Sequence, residues 1–158
     1  MSNLWRLAIP SVLLLALAAC SGGPVRRVSE PAASIQQLTV NADGSWKVAL
    51  RLQNYSSIPM RFDSVDLAVS VGEQDAGRLR VAPAISIGPE SADVVDATLA
   101  PSAMAKIVVA DALAARRTLN YALKGSVTAT PEERKARTFD VDSHNSLNPA
   151  PGLDGVLR

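Results

Sequence analysis

The octapeptide Trp46-Lys47-Val48-Ala49-Leu50-Arg51-Leu52-Gln53 most constrains what this chain can fold into. Trp46, Val48, Leu50 and Leu52 alternate with Lys47, Ala49, Arg51 and Gln53. Successive side chains of a strand point to opposite faces, so this strand has one buried face and one wet face. Upstream, Ile35 to Val40 reads as a second strand. Asn41-Ala42-Asp43-Gly44-Ser45 between them is a turn, with Asp-Gly supplying the positive φ, so the two strands form a hairpin.

Period two recurs down the chain. Asn54-Tyr55-Ser56-Ser57-Ile58-Pro59 breaks it as a turn; its match to a glycosylation sequon is read as chance. Met60 and Phe62 share one parity, and Val65, Leu67, Val69 and Val71 the other, which predicts a bulge at Asp63-Ser64 inside one long strand. Gly72 to Gly77 reads as a loop, Arg78 to Ala82 as a short strand ended by Pro83. Ile85 and Ile87 alternate before the Gly88-Pro89 turn, and Ala92 to Leu99 is a further strand. Ser102 is positioned to cap a helix. Ala103, Ile107, Ala110 and Ala114 then recur at helical spacing, widened by Met104, Val108 and Leu113, and Arg116 and Arg117 suit its last turn. Leu119 to Ala129 resumes period two, Pro131 to Lys135 is a charged hairpin loop, and Arg137 to Val141 closes the sheet. About seven short strands plus one helix near 102–117 predict a mainly β protein, an immunoglobulin/fibronectin-III-like β-sandwich. A Cys–Trp–Cys framework is missing, which argues against an antibody-type domain, and no repeat at a solenoid or propeller period is visible.

The N-terminal segment has a different character. Arg6 precedes an apolar run from Leu7 to Ala19, and small residues lead into Cys20, the one cysteine. The run is short of the ~20 residues that span a bilayer. It has the layout of a secretory leader. Leu17-Ala18-Ala19-Cys20 resembles the lipobox of bacterial lipoproteins, in which the leader is cut before an acylated Cys. That resemblance implies a signal peptide over residues 1–19, lipidation of Cys20, and a stable membrane anchor. Ser21, where an inner-membrane lipoprotein tends to carry Asp, implies the outer membrane of a Gram-negative cell, with the domain facing the periplasm. Residues 20–33 read as a flexible tether containing Gly22, Gly23, Pro24 and Pro31. The stretch from Ser21 to Pro31 reaches at most ~40 Å, and about 20 Å as a coil. Without Arg6 the chain has 15 basic and 15 acidic side chains, a balance that argues against nucleic acid and against a polybasic membrane patch.

The domain over residues 34–146 resembles the late-embryogenesis-abundant type 2 family, also called the water-stress and hypersensitive-response domain. The resemblance rests on Val48 to Asn54 running into Tyr55-Ser56-Ser57-Ile58-Pro59, and on Val65 to Gly72 with a Gly-containing return strand. It rests also on the Ile85-Ser86-Ile87-Gly88-Pro89 step and on a helix leading into Leu119 to Gly125. Asn54-Tyr55-Ser56 departs from the family's tighter Asn-Pro-Asn form. The resemblance implies a sandwich with a helix, protection under desiccation and other stress, and no catalytic residues.

Side chains that invite chemistry are few. His144 is the one histidine; with Asp142 and Ser143 adjacent on a strand end, the three point in different directions and do not predict a triad. Asp63 and Asp66, and Asp93 and Asp96, are three apart and so face opposite ways on strands; neither pair predicts a shared cation site. Trp46 and Tyr121 are assigned to the core. No metal, cofactor or small-molecule substrate is expected. Leu153, Val156 and Leu157 stand out as apolar residues in the Pro/Gly-rich tail 147–158. Either this tail packs back on the sandwich or frays, or these three residues dock a partner. Two functions follow: a non-enzymatic protective or structural envelope lipoprotein, or an accessory module that binds an envelope protein.

Overall fold

The computed structural model describes Gly23 and residues 25–158. The leader and Cys20 lie outside these described residues. Ten elements follow in order: β1 (Ala32–Val40), β2 (Trp46–Gln53), β3 (Met60–Val71), β4 (Gln74–Val81), β5 (Ile85–Ile87), β6 (Ala92–Leu99), α1 (Ala103–Ala114), β7 (Leu119–Pro131), β8 (Arg137–Leu147) and β9 (Val156–Leu157). The strands form two antiparallel sheets. One has the order β6-β2-β1-β9, the other β4-β3-β7-β8, with β5 continuing the β4 edge of β3. The fold is a β-sandwich with one helix among the described residues, as the period-two pattern predicts.

The core lies between the sheets because period two supplies one apolar face to each. Trp46, Val48, Leu50 and Leu52 of β2 meet Phe62, Leu67, Val69 and Leu123 of the second sheet's strands, all fully buried. The parity switch in β3 is real. Its register against β7 shifts between Phe62 and Ser64, and the extra residue, Asp63, turns Met60 and Phe62 inward along with Val65 and Leu67. At the centre of that sheet, Gly125 pairs with Leu67, and a Cβ there would lie 2.2 Å from the Asp66 carbonyl oxygen. Only glycine permits that approach.

The first hairpin turn is built as its sequence suggests. Gly44 takes φ +81°, Gly44 N–H donates to Asn41 O, and the Asp43 carboxylate accepts from both the amide and the hydroxyl of Ser45. Those two bonds hold the Asp43 carboxyl below its ordinary pKa.

Three segments differ from expectation. The stretch read as a loop from Gly72 is a two-residue turn, and β4 already begins at Gln74, with Ala76 buried. β8 continues past Val141 to Leu147, through polar residues that alternate at an exposed edge. α1 is capped by Ser102, whose hydroxyl accepts from the Ala105 amide, but it ends at Ala114, before Arg116 and Arg117. Its end is closed by Arg117 N–H to Ala112 O and Arg116 N–H to Leu113 O, with Arg116 at φ +50°, a left-handed stop in which glycine is usual. The helix is also turned over. Ala105, Val109 and Ala112 are buried, whereas Ala103, Met104, Ile107, Ala110 and Ala114 face outward.

The tail, of the alternatives open to it, packs back on the sandwich. Asn148 and Arg158 exchange backbone hydrogen bonds at 2.6 and 2.8 Å, Val40 N–H donates to Gly155 O, and β9 pairs with Leu38 and Thr39 of β1. Leu157 is fully buried and Val156 nearly so. Removing Asn148–Arg158 is therefore expected to lower the unfolding free energy by at least ~3 kcal/mol, since each buried Val or Leu contributes ~1.5–3 kcal/mol. Urea denaturation measures this; an unchanged midpoint would show that the tail is dispensable to the fold.

Candidate functional site

The described residues gather polar chemistry at one end of the sandwich. β2 ends at Gln53, and the next residue, Asn54, is fully buried. Its amide Nδ2 lies 2.9 Å from Ile58 O, 3.1 Å from Ile87 O and 2.9 Å from Gly88 O, and donates into this group of carbonyls. Its Oδ1 accepts from Ser56 N–H, and its backbone N–H donates to Ser91 O. One side chain thus joins the end of β2, its own turn, the end of β5 and the Gly88 turn. The sequon is sterically closed here, because Nδ2 is enclosed. Ser56, also fully buried, extends the network: its hydroxyl accepts from Ser29 N–H.

Residues 25–30 lie along this turn. Arg27 N–H donates to Ser57 Oγ, Ser57 N–H donates to Arg27 O, and Ser57 Oγ–H donates to Val25 O. Arg26 reaches Glu132 and Glu133 at 3.2 and 3.1 Å. The stretch expected to be an unordered tether is in this part fastened to the domain, and β1 begins at Ala32. Arg and Ser partners on a turn far away in sequence gave no periodic signal by which to foresee it.

The opposite end carries α1 and the tail. A cleft of about 510 Å³ opens between them, lined by Leu113, Arg116, Leu153 and Asp154 among others. Of the three tail residues singled out for docking, Val156 and Leu157 are occupied in the sandwich and Leu153 is 46% exposed. In this arrangement only Leu153 presents its side chain at the surface.

The remaining candidates are dispersed. His144 is exposed and lies 3.7 Å from Asp142, while Ser143 points inward and donates to Ala33 O. Asp63 accepts from Thr130 and faces Arg61, Asp96 pairs with Lys47 at 2.9 Å, and Asp93 accepts from Val94 N–H. Asp66 is held by Arg78, and also by Arg80, at 2.7 and 3.3 Å. The Arg78 hydrogen bond, with a smaller contribution from Arg80, keeps its carboxyl below the usual carboxylate range. No group of three His, Cys, Asp or Glu side chains converges among the described residues.

Trp46 and Tyr121 are core residues, as expected. Tyr121 also works as a clasp. β1 bulges between Ile35 and Gln37, and Tyr121 OH, reaching across from the other sheet, accepts from Ile35 N–H at 2.9 Å and donates to Ile35 O at 3.4 Å.

A family profile described as "Late embryogenesis abundant protein" matches residues 49–144. The chain belongs to the late-embryogenesis-abundant type 2 (LEA2) family. Among solved structures, one from Arabidopsis thaliana is 12% identical, covers 85% of this chain and 87% of its own, and superposes with a TM-score of 0.50. Another, described as a late embryogenesis abundant (LEA) protein, is 14% identical over 92% and 87% of the two chains, with a TM-score of 0.48. A crystal structure from Archaeoglobus fulgidus is 10% identical, covers 76% and 97%, and has a TM-score of 0.41. At 12% identity the Arabidopsis likeness speaks for the fold alone. No curated protein matches. The family match starts inside β2 and ends inside β8, so it contains the Asn54 turn, α1 and the Tyr121 clasp of this LEA2 domain.

Two predictions follow. Asn54→Ala leaves the carbonyls of Ile58, Ile87 and Gly88 without their side-chain donor, and is expected to cost ~2–4 kcal/mol in chemical denaturation. Asn54→Asp replaces that donor by an acceptor and is expected to be no better. Burial pushes the Tyr121 phenol above its ordinary pKa of 10, against smaller opposing effects of hydrogen bonds to Ile35 and Asn145. The folded state therefore favours the neutral phenol: this contribution is fully present below pH 10 and is lost as pH rises beyond it. Tyr121→Phe is expected to lower stability by ~1 kcal/mol at pH 7. Its melting temperature should also fall less than the wild type's between pH 9 and pH 11.

Proposed function

We propose that this LEA2 protein is a non-enzymatic envelope lipoprotein, anchored through Cys20 in the outer membrane with its domain in the periplasm. Its work is done by its surface: a charge-balanced sandwich held near the membrane shields neighbouring proteins when water is scarce. The observation that carries this reading is the lipobox followed by a fastened N-terminal segment. Val25 is bonded to Ser57, so only the four residues Ser21 to Pro24, at most ~17 Å of chain from Cys20 to Val25, separate the lipid from the Asn54 end of the sandwich. The protein then stands on that end, with α1 and the tail pointing away from the bilayer. The dispersed, individually paired carboxylates and the exposed His144 support a role without bond-making chemistry.

A second reading, an accessory module for an envelope protein, is favoured by one feature: Leu153 stays exposed beside the cleft at the membrane-distal end. Cell fractionation tests the anchor. Cys20→Ser is expected to move the protein from the membrane to the soluble fraction, and persistence on the membrane would sink the lipoprotein reading. In-cell crosslinking separates the two functions. A broad scatter of captured envelope proteins that grows under drying or osmotic stress supports protection; one saturable partner, independent of stress, supports the accessory module.

A further inference from the structure

α1 is apolar on the face toward the sandwich and again on the face toward solvent, with Lys106 and Asp111 its two charged residues. Ala105, Val109 and Ala112 face the sandwich. The opposite side carries Ala103, Ile107, Ala110 and Ala114, with Met104 on its flank; Ile107 is 61% exposed and Met104 55%. A surface helix of a single-chain domain normally shows a polar outer face. Here the outer stripe has the spacing four, three, four. That is the seam of a two-stranded coiled coil, with Ile107 and Ala114 at a positions and Ala103 and Ala110 at d positions.

The flanks decide what fits. In this register Lys106 falls at g and Asp111 at the following e. A parallel two-fold pair sets g of one helix against the next e of its partner, so Lys106 of each copy meets Asp111 of the other, twice per dimer. An antiparallel pair sets g against g and e against e, and forms neither contact. Lys106 has no ion pair among the described residues, although its ammonium lies near the Asp43–Gly44 turn and weakly favours the Asp43 carboxylate. Asp111 is paired with Arg117 at the surface, more than half exposed. An exposed pair of this kind contributes little and is readily exchanged.

We propose that α1 is a parallel self-association surface, on which a second copy of this chain packs Ile107 between the small residues Ala103 and Ala110 and closes two Lys106–Asp111 pairs. A β-branched residue at a favours two strands, and alanine at d lets the backbones approach closely. The sandwich already holds α1 helical, so the pairing carries no cost of helix nucleation. Twelve residues make a contact only about 18 Å long, and the interface falls below the ~1,200 Å² of stable complexes. The dimer is accordingly weak in dilute solution and is favoured by high local concentration. This goes beyond the proposed anchoring and protective role and does not depend on either.

Cysteine crosslinking in the full chain, with Cys20→Ser in every variant so that the introduced thiol is the one cysteine, tests it. In a parallel pair, Ala110 faces Ala110 of the partner subunit across the two-fold axis. Under a mild oxidant, Ala110→Cys is expected to give a disulfide dimer several-fold more abundant than Thr98→Cys, an exposed position on β6. Adding Lys106→Glu to Ala110→Cys should reduce the dimer several-fold, and adding Lys106→Glu with Asp111→Lys should restore it. Glu at position 106 lies near the helix N-terminus and favours α1, so loss of the dimer there is not loss of the fold; circular dichroism of each variant checks this. The proposal is overturned if Ala110→Cys crosslinks no more than Thr98→Cys, or if its yield ignores the Lys106→Glu change. It is also overturned if Ala103→Cys chains crosslink to Ala114→Cys chains in preference to themselves, the mark of an antiparallel pair.

Discussion

The side-chain amide of Asn54 sits where the sandwich would otherwise open. β2 leaves the first sheet at Gln53, and the chain must cross to the second sheet to begin β3 at Met60. The crossing buries carbonyls that have no strand opposite them, and a buried carbonyl without a donor is costly. Asn54 answers with one NH₂ group aimed at Ile58, Ile87 and Gly88, and with an oxygen that takes up the Ser56 amide. Ser56 then orders Ser29, and Ser57 orders Val25 and Arg27. The crossover, the short β5 and the N-terminal segment all hang on this amide. An apolar side chain of similar size would fill the space and satisfy none of these groups.

Open edges pose the second problem of such a fold, because unpaired strand backbones invite further strands. β1 is edged by β9 only at Leu38 and Thr39. Upstream of that contact the exposed backbone is met by side chains instead: Tyr121 takes Ile35 and Ser143 takes Ala33. The bulge at Gln36 breaks what remains of the edge. β8, the long outer strand of the other sheet, carries Asp140, Asp142 and His144 on its exposed face, a polar row that disfavours unselective pairing. The tail and the clasp therefore serve one end, the closing of β1, although they are far apart in sequence.

How much of this was legible in the chain depends on whether the determinant was local. Trp46–Gln53 and Ala92–Leu99 could be bounded to the residue because their alternation and their flanking turns agree. The bulge at Asp63 was visible because a one-residue insertion flips every later side chain. The start of β4 is hidden in the sequence because Asp75 and Gly77 are turn formers, yet here Gly77 takes φ +127° within a strand whose pairing shifts at Val69/Ser70. The end of β8 and the two-residue β9 lack an apolar alternation; only their partners across the sheet make them strands. Asn54 could be read as a turn residue. That its amide would be enclosed by three carbonyls depends on β5, more than 30 residues later.

The inversion of α1 shows most clearly where periodicity stops being informative. Spacing identifies two faces on a helix, and by pattern alone the larger, more regular apolar one is the natural choice to bury. The packing space decides otherwise. α1 lies against β3 and β4, close enough that a Cβ at Gly72 would stand 3.6 Å from Val108 Cγ1. The face turned to the strands is that of the small or short side chains Ala105, Val109 and Ala112, whereas the long Met104 and Ile107 stand outside. Burying Ile107 would push the helix outward and forfeit the Ser102 cap, whose hydroxyl also donates to Asp75 O. The fold of one chain thus leaves its best-patterned apolar stripe unused, and the residues flanking that stripe, Lys106 and Asp111, are spaced to meet each other across a two-fold axis.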